Sequence, residues 1–258
     1  MKAIEIVELL EKLCPKEYAC EWDNPGMHIG HNDNVIHKIL VAVDADDEVV
    51  NFAVNNHVDM IVTHHPLLFS GIKQINDNSF MGRRVMKLIE NGINCYCMHT
   101  NFDTIGGMAT SAAERLELTD CKVLSEVKNG EGIGRCGSLP KELTIRKLCE
   151  LVKDKFNLPK VVLYGDENLI VNTVAICPGS GKDEIPNSIK LGAEVLITGD
   201  MTYHYGVDSV AQGLCIIDAG HYGIEHIFIE IVTEYLKGQL DNTICVIPME
   251  ISNPQKFI

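Results

Sequence analysis

The sequence lacks several common signatures, and each absence removes a class of protein. Its ten cysteines include no C-x-x-C pair, and a disulfide framework belongs to small secreted domains rather than to a chain of 258 residues. Cys95, Cys97, Cys177, Cys215 and Cys245 sit inside apolar runs, where a thiol behaves as a small buried hydrophobe. Reduced structural cysteines are therefore expected. No uncharged apolar stretch reaches the ~20 residues that cross a bilayer. No basic run is present and the net charge is −14, which argues against a general binder of nucleic acid or acidic membranes. The opening Met1-Lys2-Ala3-Ile4-Glu5 has no leader pattern, so the expected place of work is the cytoplasm. Aromatic residues make up 6% of the chain and tryptophan occurs once. There is no low-complexity segment.

What remains alternates between two periodicities. Ile4, Val7 and Leu10 have helical spacing. Ile39 to Val43 predicts a short strand, the stretch from about Asp46 to Asn55 a helix, and Met60 to Thr63 a second strand. Ser79 to Asn91 reads as a helix stopped by Gly92, and Ile93 to Met98 as a third strand. Strands alternating with helices indicate an α/β fold with mostly parallel sheets. The grammar then returns. Asp59-Met60-Ile61-Val62-Thr63 is echoed by Glu194-Val195-Leu196-Ile197-Thr198, and Val41-Ala42-Val43 by Val174-Ala175-Ile176. The shared order predicts an internal duplication, with a first half at 1–125 and a second at 126–258. Between them lies the glycine-rich stretch Gly130 to Gly137, followed by a helix capped by Thr144.

The residues with chemical potential cluster at predicted strand ends, where loops of a parallel sheet collect ligands. His64-His65-Pro66 follows the second strand and Asp103 the third. In the second half Asp218-Ala219-Gly220 leads into His221, four positions before Glu225, so the two share a helical face. A solvated or core-satisfied histidine pair is the plain alternative for each signal taken alone. Together, His64, His65, Asp103, His221 and Glu225 offer nitrogen and oxygen ligands for two divalent ions, with Zn, Fe, Mn, Co and Ni all suited. Two such ions against two carboxylates leave a local charge near about +2, which suits a small anionic substrate.

The same residues carry a likeness. Trp22-Asp23-Asn24, Thr63-His64-His65-Pro66, His99-Thr100-Asn101 with Asp103, Thr198-Gly199-Asp200 with His204, and Asp218-Ala219-Gly220-His221 with Glu225 resemble the motifs of the NIF-three-like dinuclear metal-centre family. Its members are often labelled GTP cyclohydrolase 1 type 2 homologues. The resemblance spans nearly the whole chain and is to the short members, without the inserted middle domain. It implies two intertwined three-layer α/β/α domains, two metal ions held by the five residues above, and a homohexamer. Pro25 and His28 stand where an apolar and an amide residue are more usual. Cys177-Pro178 precedes Gly179-Ser180-Gly181 where glycine is commoner.

Secondary candidates have plainer readings beside them. His99 could orient a ligand, or make an ordinary structural hydrogen bond. His204 could act as an acid or base, or cap a helix. Asp200 could orient an imidazole. Gly179-Ser180-Gly181 could cradle an anion or simply turn the chain. Trp22 with Asn24 could wall a base-binding pocket or pack. His28, His31, His37 and His57 have no assigned role, and Asp44-Asp46-Asp47-Glu48 reads as a helix start and solvated face. The leading function is a metal-dependent hydrolase of a small nucleotide-like or phosphorylated compound. The rivals are a two-metal phosphoesterase and a non-catalytic metal-binding scaffold or metallochaperone.

Overall fold

The computed structural model describes residues 1–105 and 107–249, so the last residues of the second sequence half lie outside the described ones. The chain divides into two compact units, Met1–Phe102 with Phe228–Ile258, and Asp103–Ile227.

The first unit opens with α1 (Ala3–Leu13), whose Ala3, Ile6, Val7 and Leu10 are buried at helical spacing. Strands β1 (Gly26–Ile29) and β2 (Lys38–Ala42) follow, then α2 (Asp47–Asn55), β3 (Met60–Thr63), α3 (Phe80–Glu90) and β4 (Asn94–Cys97). The side chain of Asp46 caps α2 by accepting from the Val49 amide at 2.9 Å, and that of Ser79 caps α3 by accepting from Gly82 at 2.9 Å. Ile39, Leu40, Val41 and Ala42 are fully buried, as are Met60, Ile61 and Val62. Unbroken apolar runs are how strands covered on both faces read. Leu40, Ala42, Ile61 and Cys95 face a core shared with Val49, Val50, Ala53, Val85 and Leu88 of α2 and α3. By alternation the intervening residues face the other side, where the Tyr96 hydroxyl reaches Glu11 of α1 at 3.3 Å.

The chain then enters α4 (Thr100–Thr104) and builds the second unit from α5 (Met108–Arg115), β5 (Thr119–Lys128), β6 (Glu131–Thr144), α6 (Ile145–Lys155), β7 (Val162–Tyr164), β8 (Ile170–Ser180), α7 (Ile185–Lys190), β9 (Val195–Gly199), α8 (Tyr203–Ala211), β10 (Cys215–Asp218) and α9 (His221–Glu225). Thr144 caps α6 from the side chain, as its sequence position predicts. Strands β5 and β6 form a long hairpin turning at Asn129-Gly130, both at positive φ (53° and 80°). That conformation is what an Asn-Gly hairpin turn demands.

Finally α10 (Ile227–Gln239) and β11 (Cys245–Pro248) return to the first unit. There β11 pairs in parallel with β2, and the Tyr235 hydroxyl donates to the Leu9 carbonyl of α1 at 2.8 Å. The compact units divide the chain at Phe102 and Phe228.

The five-stranded sheet runs β1-β4-β3-β2-β11 and the six-stranded sheet β5-β6-β8-β9-β10-β7. The first is parallel except for β1 against β4. The second has a parallel centre, β8-β9-β10, flanked by antiparallel pairs on both sides. The two echoed segments occupy matching places. Met60–Thr63 and Val195–Thr198 each form the middle strand of a parallel trio, bordered by β2 and β4 in one sheet and by β8 and β10 in the other. Among the described residues no helix is long and apolar enough to cross a membrane, and none of the ten cysteines is joined in a disulfide.

Candidate functional site

In the first unit three imidazoles gather past the ends of β3 and β4. The backbone ladder continues one step beyond β3, with the His64 amide donating to Ala42 and the His65 amide to Val43. The chain bends at both residues, and the two rings lie 4.9 Å apart between centroids. His64 is fully buried, its ring tilted at 46° to that of Phe228, 5.4 Å away. His99 follows β4, 5.3 Å from His64 and 5.8 Å from His65 between ring centres. Each of the three can present a ligand atom within 4.8 Å of the others. His99 thus joins His64 and His65 in a group that could hold a metal ion.

The hydrogen bonds behind these rings set which nitrogen faces forward. His64 Nδ1 lies 2.9 Å from the Met98 carbonyl, which can only accept, so Nδ1 carries the proton and Nε2 the lone pair. His65 Nδ1 meets Asp44 Oδ1 at 2.8 Å, and His99 Nδ1 meets Asp23 Oδ1 at 2.9 Å. A carboxylate or carbonyl behind Nδ1, with Nε2 in front, is the arrangement that orients histidines toward metal ions. The sequence alone places Asp44 in a solvated helix start. That holds for Asp46, the cap of α2, and for Asp47, which pairs with Arg84. Asp44 itself serves His65. Its position just past β2, level with His65 past β3 and His99 past β4, is the signal that could have singled it out.

Asp23 also accepts from the amide and hydroxyl of Thr100. Burial pulls its carboxyl upward, but His99 and Thr100 outweigh burial and hold it at about 2, against an ordinary 3.8. The folded value is depressed, so the stabilisation is in place above pH 3.8 and is lost as pH falls through about 2. Asp23→Asn is expected to lower stability by about 2 kcal/mol at neutral pH. Urea midpoints of the two proteins should draw together as the pH is lowered from 7 to 3. A gap that stays constant would rule out the charged carboxylate as its source.

In the second unit the corresponding strand ends carry a histidine and carboxylates. Asp218, the last residue of β10, accepts from the Met201 amide at 2.9 Å and the Gly220 amide at 2.8 Å, clamping the loops after β9 and β10. His221 then opens α9. Its Nδ1 lies 2.8 Å from Asp200 Oδ2, so Asp200 does orient an imidazole. Its Nε2 lies 3.1 Å from Oε2 of Glu225, one helical turn on and buried. With Nδ1 donating to Asp200, the facing Nε2 and carboxylate oxygen are both electron-rich. At that separation they require a proton or a cation in common. The donor set therefore fits a divalent metal ion.

Two further features frame this carboxylate. A Cβ on Gly179, which has φ +71°, would lie 2.5 Å from Glu225 Oε1, so only glycine leaves room for the acid. The Cys177 thiol is pushed well above its usual range by burial and by the carboxylates of Glu184, Asp103 and Glu225. Asp103 belongs to this unit, half-buried on α4 with Oδ1 closed off from solvent. Gly179 and Ser180 close β8, and the Gly181 amide that follows donates to the Thr198 hydroxyl at 2.8 Å, so that amide is engaged within the fold. His204 is exposed on the first turn of α8, its ring edge-on to Tyr203 at 5.5 Å.

A family model described as Duf34/NIF3 (NGG1p interacting factor 3) matches residues 1–254. The Clostridium perfringens protein named GTP cyclohydrolase 1 type 2 homolog is 35% identical over 262 residues, covering 100% of both chains. A Lactococcus lactis protein of the same name is 37% identical over 243 residues, covering 92% of each. The crystal structure of a Bacillus cereus protein related to NIF3 superposes with a TM-score of 0.93 at 23% identity, over 100% of this chain and 99% of that one; at that identity it bears on the fold.

Proposed function

Because the chain belongs to the Duf34/NIF3 family, we propose that it is a metal-dependent hydrolase of a small nucleotide-like or phosphorylated compound, with two divalent ions held by His64, His65, Asp103, His221 and Glu225. The observation that carries this reading is the orientation of the imidazoles. His64, His65 and His221 each have Nδ1 against an oxygen acceptor, which leaves Nε2 as the ligand atom. Zn, Fe, Mn, Co and Ni all accept such a donor set. When bound, the ions would supply charge that polarises an electrophilic centre and offsets an anionic substrate.

The chain's own residues do the remainder. Asp44 and Asp200 hold His65 and His221 in register. Asp23 fixes the tautomer of His99, so that Nε2 of this ring takes up and returns a proton. His204, exposed at the start of α8, is the second candidate for proton transfer. The name shared by the relatives suggests GTP as the first substrate to test, and the resemblance suggests a cytoplasmic homohexamer, which light scattering on the purified protein would check.

The deciding experiment supplies the metal-reconstituted protein with GTP and, separately, with a generic phosphodiester. Formate release from GTP, lost in His65→Ala, supports a cyclohydrolase-type reaction. Phosphodiester cleavage without formate favours the phosphoesterase. A fully loaded protein that turns over neither defeats the hydrolase reading and leaves the scaffold or metallochaperone.

A further inference from the structure

Two large aromatic side chains of the first unit are left open beside the histidines. Trp22 is 63% exposed and Phe69 59% exposed, although burying either would stabilise the fold by ~1.5–3 kcal/mol. Scattered exposed apolar residues are ordinary. These two touch each other, with ring centres 6.0 Å apart, and both stand against His99, at 5.9 and 6.3 Å. His99 is in turn 5.3 Å from His64. The aromatic face is continuous with the imidazole cluster.

The segments bearing these rings are pinned. Trp22 sits in a turn closed by the Asp23 amide donating to the Cys20 carbonyl. The turn is anchored by the Cys20 amide on the Thr100 hydroxyl at 2.9 Å and by the Asp23 carboxylate on His99 and Thr100. Beside Phe69, the Leu68 amide donates to His28 Nδ1 at 3.1 Å, so His28 carries its proton on Nε2 and donates to the Asn24 carbonyl at 2.9 Å. The Asn24 side chain closes the loop by donating to the Leu68 carbonyl at 2.8 Å. His28 and Asn24 thus hold the two aromatic-bearing loops together, and the open rings are presented by a rigid frame instead of collapsing onto the surface.

We propose that Trp22 and Phe69 form the platform on which a planar heteroaromatic ring of the substrate stacks, placing the atoms attached to that ring beside His99. The platform sets specificity for a nucleobase over a bare sugar phosphate. Stacking on aromatic side chains tolerates any base but demands a π face. This inference deepens the hydrolase reading and rests on it for the word substrate, while its test stands apart from activity.

Trp22 is the one tryptophan of the chain, so its emission reports the platform directly. The intact protein is titrated with guanosine 5′-monophosphate and with ribose 5-phosphate, and metal content is assayed on the same sample. The expected result is saturable quenching by the nucleotide and none by the sugar phosphate. Phe69→Ala should weaken nucleotide binding about tenfold or more. By calorimetry Trp22→Ala should weaken it similarly and Trp22→Phe less, with circular dichroism confirming that all three fold. Equal affinities for the two ligands, no nucleotide binding, or unchanged affinity in Phe69→Ala would each overturn the proposal. So would quenching that follows protein concentration instead of nucleotide, which assigns the face to a second copy of the chain. Nucleotide-dependent quenching in a protein that takes up no metal would leave the platform standing and defeat the hydrolase reading alone.

Discussion

Stripped with a chelator, the protein is expected to melt roughly 10 °C below its value in excess Mn²⁺ or Zn²⁺. A ligand bound by the folded state alone stabilises by about 4 kcal/mol at a thousandfold excess over its dissociation constant, and each kcal/mol is worth ~2–4 °C in a protein of this size. Glu225→Gln separates two effects at this site. The carboxylate is buried beside His221, and Asp103 acts on the same buried Cys177 neighbourhood. Removing the charge of this buried acid relieves its desolvation and its repulsion with half-buried Asp103. The metal-free variant should therefore melt no lower than the metal-free parent, while its metal-induced shift largely disappears. Elemental analysis should show fewer ions per chain in Glu225→Gln and in His65→Ala. A parent that shows neither bound metal nor a shift after reconstitution would sink the metal assignment for all five ligands.

The second large effect is expected at Phe228, the first residue of the returning segment. It is fully buried, edge-to-face with Phe102 at 5.0 Å and 5.4 Å from His64. Phe228→Ala should lower stability by about 3–5 kcal/mol, the cost of lost burial plus a cavity that its neighbours fill only in part. The urea midpoint should fall, and Phe228→Leu should recover most of the loss. Because the phenyl ring supports His64 from behind, metal affinity should also fall in the alanine variant although no ligand has changed. An unchanged midpoint would mean that the packing around Phe228 is loose.

Much of the first sheet was legible because its signals are local. Apolar runs at Ile39 to Val43 and Met60 to Thr63, with Asp46 and Ser79 standing before helical patterns, correspond to β2, β3 and the caps of α2 and α3. The gathering of His64, His65 and His99 past β3 and β4 followed from these, since residues just past parallel strands collect at one end of the sheet. The long hairpin β5-β6 was less visible: exposed residues along β5 blur its alternation, and Asn129-Gly130 was its one sharp mark. The pairing of β11 with β2 had no local mark at all, because partner choice at a sheet edge depends on the rest of the fold. The same holds for Asp23. Its neighbours along the chain say nothing of Thr100 and His99, which it reaches across more than seventy positions.

The order in which the chain is made has its own bearing on how this molecule matures. The first unit is begun at Met1 but is finished only by α10 and β11, whereas the second is complete once Ile227 has been added. On a ribosome, where domains fold as they emerge, the inner unit can close while the outer one still lacks its last helix and edge strand. Until then β2 is an uncovered edge and His64 lacks the Phe228 ring behind it. The imidazole cluster of the first unit therefore reaches its final packing only after synthesis has passed Phe228, later than the inner unit can close.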